Sequence, residues 1–263
     1  MKLTEQNYFS PEAEMYYMGS TQFKRFCDCE ARAMAVLRGE HAEPVTDALL
    51  IGSYVDAYFS GTLEQFQAEH PEVFTRNGEL LKKFQHAEYI AKRAERDEFF
   101  RRHLSGTPQV IMTGDICGVP FKVKVDSLLP YQTVDLKVMR DMSDVWIPGE
   151  GYTSFIEAWR YDIQGAIYQH IRTQNEKDRN TLLPFILAVI TKESEPDIAL
   201  VEIPQRILND AMKLIVARVE HFHNIKLGLA EPSRCECCDY CRKTKVLTRV
   251  EVYDPLVQIL GKE

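Results

Sequence analysis

The chain has 263 residues and a formal net charge of −7, and 45% of its residues are hydrophobic and 27% charged. These proportions are ordinary for a globular protein with one large domain or two small ones. No apolar run approaches the ~20 residues that span a bilayer, and the first residues do not resemble a secretory signal. We therefore expect a cytoplasmic protein that does not enter a membrane. The acidic charge argues against binding nucleic acid over the whole surface but leaves room for a local basic lining.

The N-terminal part of the chain, residues 20–104, is predicted to be mostly helical. Ser20 or Thr21 is a suitable N-cap for a first helix, because the apolar residues that follow recur at helical spacing. Asp56 lies among apolar residues of the second helix, where a carboxylate costs free energy if it is buried without a partner. It therefore either faces solvent or meets a metal or phosphate. The helices expected here cover residues 20–38, 49–59, 62–70 and 79–104.

The second part of the chain alternates between strands and helices. Two-residue periodicity and short apolar runs bounded by turn residues predict the strands, and apolar stripes at helical spacing predict the helices. A glycine-rich loop after the third strand is a candidate to close over a substrate. Strands are expected at 109–114, 119–126, 133–137, 182–191 and 197–203, the loop at 139–153, and helices at 155–172 and 204–227.

Two carboxylates and a lysine lie close together in residues 118–137. Asp126 ends an alternating strand, and Asp135 and Lys137 share one face of the next strand, because side chains at i and i+2 point the same way. If the two strands pair as a hairpin, Asp126 comes near that same side. Two carboxylates suit Mg²⁺, which takes oxygen ligands and keeps places for water and phosphate. Taken alone, a D-x-K pattern is more often a solvated ion pair.

Three motifs in a fixed order resemble the PD-(D/E)xK nuclease superfamily. Asp126 followed by Asp135-Leu136-Lys137 is similar to the D…(D/E)-x-K core. Gln164-Gly-Ala-Ile-Tyr168 is similar to the Q-x-x-x-Y element, and Gly52-Ser-Tyr-Val-Asp56 resembles the G-x-x-x-H element with Asp in place of His. The likeness is greatest to the phage RecE-like (exonuclease VIII-like) group of the RecB-like branch. It implies an α/β fold with a restriction-endonuclease-like core, a central mixed β-sheet flanked by helices, in a single domain over residues 1–263.

The resemblance implies a Mg²⁺- or Mn²⁺-dependent DNA exonuclease, acting 5′→3′ on linear duplex DNA in phage or prophage recombination. A single-strand annealing protein and further copies of the chain are the partners it suggests beside DNA. Lys137 would position the attacking water, and Gln164 and Tyr168 would orient the site or the phosphate. The implied metal ligands are Asp56, Asp126 and Asp135.

Basic residues near the motif are candidates to contact DNA. They are Lys122, Lys124 and Arg140, although a solvated surface is the usual role for any one lysine or arginine. A second interpretation is a degenerate nuclease fold that binds DNA or a protein without cutting, and the Asp at position 56 and the acidic net charge favour it. The intact Asp126, Asp135 and Lys137 favour catalysis.

A cysteine cluster lies in the C-terminal segment 231–245. Cys235, Cys238 and Cys241 form C-x-x-C-x-x-C, and cytoplasmic proteins seldom use such clusters for disulfides. The spacing lets three thiolates converge on one soft metal. Cys237 would complete a local zinc site. Some RecB-like nucleases instead combine an N-terminal cysteine, here Cys27 or Cys29, with three C-terminal ones around a [4Fe–4S] cluster; a metal-free thiol cluster is the remaining alternative.

Overall fold

A five-stranded sheet lies at the centre of the computed structural model, which describes residues 1–147 and 149–248. The strand order is β1-β2-β3-β6-β7. Only the β3–β6 pair is parallel among these neighbours, and the other three pairs are antiparallel. The strands of this sheet are β1 (Thr107–Ile116), β2 (Val119–Leu129), β3 (Gln132–Met139), β6 (Phe185–Thr191) and β7 (Ile198–Glu202).

Helices precede the sheet in the chain. The N-terminal helices are α1 (Pro11–Tyr16), α2 (Ser20–Asp28), α3 (Glu30–Leu37), α4 (Asp47–Ser60), α5 (Leu63–Glu69), α6 (Gln85–Glu95) and α7 (Glu98–His103). Between β3 and β6 come a hairpin of β4 (Val145–Ile147) and β5 (Gly151–Thr153), then α8 (Phe155–Ala158) and α9 (Tyr161–Asn175). After β7 follow α10 (Gln205–Lys226) and α11 (Asp239–Lys243).

Two hydrophobic clusters cover the sheet with helices. One joins α2, α3, α9 and α10 to β2 and β6 through side chains such as Phe121 and Phe185, both 0% exposed. The other joins α4, α6 and α7 to β3 and β6 through side chains such as Val134 and Ala188. Alternate residues of β6 enter the two clusters, which is why this strand is apolar throughout. The predicted α/β architecture, a mixed sheet flanked by helices, is confirmed.

Three predicted helices are interrupted, and the predicted loop contains structure. The first breaks at Cys29, whose extended backbone (φ −166°) ends α2 and precedes α3. The helix expected from residue 79 begins only at Gln85, and α7 starts separately with Asp97 as its N-cap. Arg160, in the left-handed region at φ 54°, separates α8 from α9. The loop 139–153 holds the β4–β5 hairpin, in which Val145–Ile147 and Gly151–Thr153 pair as antiparallel strands.

The buried Arg172 of α9 fixes the β2–β3 turn. Its guanidinium donates to the carbonyl oxygens of Leu129 (2.8 Å) and Pro130 (3.2 Å) and to the hydroxyl of Thr133 (3.0 Å). These acceptors lie at the turn between the two strands that carry the aspartates, so α9 sets the geometry of the hairpin. Among the residues that the structure describes, no helix combines the length and the apolar character needed to cross a membrane.

Candidate active site

The strands β2 and β3 separate at the two aspartates. The last ladder pair before the separation is Ser127 with Val134, and Asp126 and Asp135 are the next residue on each strand. Oδ2 of Asp126 accepts a 2.8 Å hydrogen bond from the backbone N–H of Leu136. A side-chain carboxylate thus meets the neighbouring strand's N–H at this point, and it is held beside the Asp135–Lys137 segment.

Asp135 is almost completely buried, with 1% of its surface exposed. Its Oδ1 accepts a 2.6 Å hydrogen bond from the side-chain amide of Gln164. Its Oδ2 forms an ion pair with the Lys137 ammonium and accepts no hydrogen bond within the described part of the chain. One carboxylate oxygen is therefore fixed by an amide, and the other is left to cationic neighbours.

Asp56 of α4 lines the same cleft as Asp126 and Asp135. Its Oδ1 lies 3.4 Å from the side-chain amide of Gln109. Burial raises the pKa of Asp56, the Lys124 ammonium opposes this shift, and the negative charge of Asp135 adds to it. The charges on β2 and β3 thus influence the Asp56 carboxyl group. Of the two orientations considered for Asp56, toward solvent or inward, the structure has the inward one.

The electrostatics of this cluster suit a divalent cation. Burial raises the pKa of Asp126 well above its usual range, and the negative charges of Asp135 and Asp56 raise it further. Burial acts to lower the pKa of Lys137, but Asp135 and Asp126 outweigh it and the pKa is raised, so the lysine stays charged. The ammonium groups of Lys24, Lys124 and Lys137 oppose part of the negative charge of the three carboxyl groups. Carboxylate oxygens are the ligands that Mg²⁺ takes in proteins, and the oxygen donors of Asp56, Asp126 and Asp135 match this ligand type. Among the described residues, the three carboxyl groups do not form a ligand group as compact as that of the cysteines described below.

A large open cleft leads to the carboxylates. Its volume is about 1530 Å³, and it lies between the sheet, the N-terminal residues and α2 to α5. Small-molecule pockets usually measure about 300–1,000 Å³, so this cleft suits a polymer better than a metabolite. Its lining includes Asp56, Asp126, Asp135, Lys137, Gln164 and Tyr168, together with the basic residues Arg25, Arg38, Lys124 and Lys192.

Gln164 and Tyr168 lie one turn apart on α9 and contact different strands. Gln164 binds the Asp135 carboxylate on β3, and the Tyr168 hydroxyl donates a 3.0 Å hydrogen bond to the carbonyl oxygen of Lys124 on β2. Gly165 between them lets α9 approach β6, since a Cβ there would come within 2.7 Å of Phe185. In the structure, Gln164 contacts a carboxylate of the motif and Tyr168 contacts the backbone of β2.

Lys122, a predicted DNA contact, is bound inside the protein. Its side chain is 2% exposed, and its ammonium is bound internally by Glu14 (2.7 Å) and by the carbonyl oxygen of Tyr8. The residue anchors the N-terminal segment to the sheet. Both lysines border the cleft, but Lys124, two residues on, is only half-buried. Arg140 is exposed beyond the end of β3, forms a 2.6 Å ion pair with Asp141 and does not line the cleft.

Four cysteines converge at the C-terminal segment, and Cys27 is not among them. The sulfur atoms of Cys29, Cys235, Cys238 and Cys241 all lie within 4.8 Å of one another. Of the two N-terminal candidates, Cys29 and not Cys27 joins the group, because the helix break turns Cys29 inward to 4% exposure. Burial acts to raise the pKa of Cys235, but backbone N–H donors from Cys237 and Cys238 lower it to about 6.

Two residues near the carboxylates have no recognisable signal in the sequence. Lys24 of α2 donates to the carbonyl oxygen of Trp159 (3.4 Å), and burial together with the Lys137 charge lowers its pKa to about 8. Lys24 and Lys137 lie 5.5 and 5.3 Å from the ring centre of Tyr161. Gln109 contacts Asp56 from β1, in the left-handed region at φ 52°. Both residues are distant in sequence from the motif, and only the fold brings them to it.

The comparisons with known proteins agree with this geometry. A family described as a PDDEXK-like domain of unknown function (DUF3799) matches residues 19–244. A crystal structure from Eubacterium rectale, of a protein provisionally named an exonuclease, has 42% sequence identity to this chain and superposes with a TM-score of 0.88. The match covers 96% of this chain and 97% of that one. No curated protein matches the chain.

Proposed function

The chain belongs to the PDDEXK-like domain family, and from this premise we propose that it is a divalent-metal-dependent DNA exonuclease. Family and structural neighbour together support a nuclease. The observation that carries the proposal is the joining of Asp126, Asp135 and Lys137 at one point of a large cleft. The ligands of a hard cation and a charged ammonium thus lie where a phosphodiester can enter.

The proposed roles follow from the contacts. Asp126 and Asp135, with Asp56, would hold Mg²⁺ or Mn²⁺, which when bound supplies positive charge against the phosphate and acidifies coordinated water. Lys137 keeps its proton beside Asp135 and is placed to orient the attacking water and stabilise developing negative charge. Gln164 fixes Oδ1 of Asp135 and would thereby set the orientation of this carboxylate toward a bound cation.

The substrate is proposed to be a linear duplex DNA end, degraded 5′→3′ in phage or prophage recombination. The size of the cleft and the basic residues Arg38, Lys124 and Lys192 on its wall support a polyanionic substrate. The strand polarity, a single-strand annealing partner and assembly of several copies are expectations that come from the RecE-like sequence motifs.

Digestion of linear duplex DNA labelled at one end tests the proposal. The wild-type protein with Mg²⁺ is expected to release nucleotides from the ends, and the label that is lost first gives the polarity. Asp135→Asn and Lys137→Ala are expected to abolish release while DNA binding persists in gel shifts. A closed circular duplex, which has no ends, is the matched control substrate, and an exonuclease is expected to leave it intact.

A binding module is the competing function, favoured by the Asp at position 56 and the net charge of −7. It predicts DNA or protein binding without degradation in Mg²⁺ or Mn²⁺. A wild-type protein that binds the labelled duplex and leaves it intact with both metals would support this function and reject the nuclease. Degradation by Asp135→Asn at the wild-type rate would reject the assigned site.

A further inference from the structure

We propose that Cys29, Cys235, Cys238 and Cys241 form a structural site for one tetrahedrally coordinated Zn²⁺ ion. Their four sulfur atoms come from two distant parts of the chain and lie within 4.8 Å of one another. Cys29 and Cys241 are buried, and the other two are half-buried. Four thiolates around a closed volume are the usual ligand set of a structural zinc site.

The sulfur separations favour one ion over an iron–sulfur cluster. A Zn–S bond of ≈ 2.3 Å places the four sulfurs of a tetrahedron about 3.8 Å apart. The Sγ atom of Cys241 lies 3.5 Å from that of Cys29 and 4.0 Å from that of Cys235. In a [4Fe–4S] cluster each thiolate binds a different iron, so the thiolates lie at the outer corners of the whole cluster. The upper limit of 4.8 Å leaves too little room for such a cluster.

Backbone amides already support the thiolates. The N–H of Cys238 donates to the sulfur of Cys235 (3.3 Å), and the N–H of Cys241 donates to that of Cys238 (3.4 Å). The turn between them requires Glu236 in the left-handed region, at φ 58°. These outer-shell donors orient ligands and offset the charge that four thiolates bring to one cation.

The site would join the C-terminal segment to the break between α2 and α3. Ser233 N–H donates to Glu30 Oε2 (2.8 Å), and Ala31 N–H donates to the Ser233 carbonyl oxygen (2.9 Å). The Arg234 guanidinium donates to the carbonyl oxygen of Cys241 (2.7 Å). The bound ion would add a covalent-strength link to these contacts and hold α2 against the body of the protein. Lys24 of α2 lies near Lys137.

Metal analysis of the full chain tests the site. Protein from cells supplied with both iron and zinc, purified without oxygen or chelators, is expected to contain one zinc per chain. Iron and visible charge-transfer absorption are expected to be absent. Exchange for Co²⁺ is expected to give the d–d bands of a tetrahedral thiolate site. Four irons per chain with cluster absorption, or a disulfide found by mass spectrometry of the unreduced protein, would overturn the proposal.

Cys27→Ser and Cys29→Ser form a matched pair, because Cys27 lies two residues from the ligand and outside the group. Cys29→Ser is expected to weaken zinc binding by at least the ~10–100-fold that loss of an outer-shell partner costs. Cys27→Ser and Asp135→Asn are expected to keep the zinc, and the latter separates this site from the carboxylates. If Cys29→Ser does not fold, the half-buried Cys235→Ser replaces it. Equal zinc in every variant, or no zinc binding by the metal-free wild type, contradicts the proposal.

Discussion

The side-chain amide of Gln164 donates a 2.6 Å hydrogen bond to Oδ1 of Asp135, and both residues are buried. One helix thereby sets the orientation of a carboxylate on the central strand. The hydrogen bond fixes one oxygen of the carboxylate, and the other oxygen is paired with the Lys137 ammonium. Loss of a residue that hydrogen-bonds to a metal ligand commonly lowers metal affinity or activity by about 10–100-fold.

Gln164→Ala is therefore expected to lower the rate of DNA degradation about 10–100-fold and to raise the Mg²⁺ concentration needed for half-maximal rate. Mg²⁺ titrations of the cleavage rate measure both effects. Gln169→Ala is the matched control, since Gln169 is also buried on α9 but binds the Leu183 carbonyl and Gln205. It is expected to lower the melting temperature and leave the Mg²⁺ dependence unchanged. The same Mg²⁺ requirement in both variants would refute the role given to Gln164.

Substitutions of Lys122 and Lys124 are predicted to affect different properties, stability for Lys122 and DNA binding for Lys124, although the two residues lie two positions apart on β2. Lys122→Met removes the internal partner of Glu14 and of the Tyr8 carbonyl. We expect a loss of about 1–3 kcal/mol in the free energy of unfolding, as for other buried polar groups left unpaired. Lys124→Met is expected to keep the stability and weaken DNA binding, with a shallower salt dependence.

Urea unfolding and DNA binding at several salt concentrations, on both variants, distinguish the two lysines. Weaker DNA binding by a stably folded Lys122→Met would restore the original view of Lys122 as a DNA ligand. An unchanged salt dependence in Lys124→Met would remove Lys124 from the DNA surface.

The sequence was sufficient to place most strands and helices because they differ in apolar period, and the resemblance to the PD-(D/E)xK superfamily implied the α/β fold that they form. The order of Asp126, Asp135-Leu136-Lys137 and Gln164 along the chain then indicated where the site would form. The different burial of Lys122 and Lys124 could not be predicted from the sequence, since alternation places both residues on one face of β2. Which ammonium is buried depends on the N-terminal segment that packs over it.

The helix break at Cys29 also had no sequence signal. Neither glycine nor proline marks it, and the apolar period continues from Phe26 to Met34 across it. Tertiary contacts decide the break, because the C-terminal segment binds Glu30 and Ala31 directly after it. The choice between Cys27 and Cys29 could not be made from a pattern that assumed one unbroken helix.

Arg172 is predicted to be essential to the hairpin that carries the aspartates. Arg172→Met would leave the carbonyl oxygens of Leu129 and Pro130 without their donor, and we expect a loss of about 3 kcal/mol in unfolding free energy. Arg172→Lys is expected to recover little, since an ammonium lacks the planar fork that binds several acceptors at once. The control Glu176→Gln removes the negative charge but keeps an acceptor for the Arg172 guanidinium, and it is expected to cost less than Arg172→Met. Chemical denaturation measures the unfolding free energy of all three variants. Wild-type stability in Arg172→Lys would contradict the role given to the planar guanidinium.

The raised pKa of Asp126 predicts how stability depends on pH. Its carboxyl binds a proton more tightly in the folded protein than in the unfolded chain, where the pKa is about 3.9. Between these two pKa values the folded state holds more protons, so its stability falls as pH rises. Asp126→Asn keeps an acceptor for the Leu136 N–H and cannot ionise. In metal-free protein, the melting temperature of Asp126→Asn minus that of the wild type is therefore expected to increase from about pH 5 to about pH 8.

Mg²⁺ is expected to offset the loss of stability that the wild-type protein shows as pH rises, and to have much less effect on Asp126→Asn. A cation that binds the ionised carboxyls of the folded state stabilises it by mass action, and it competes with the proton on Asp126. Added Mg²⁺ should then raise the wild-type melting temperature more at about pH 8 than at about pH 5, and raise that of Asp126→Asn much less. Calorimetry of both proteins at the two pH values, with and without the metal, measures the four differences. A melting-temperature difference that does not change with pH in the metal-free proteins would show that Asp126 is ionised throughout, and that its burial beside Asp135 and Asp56 is compensated by other groups.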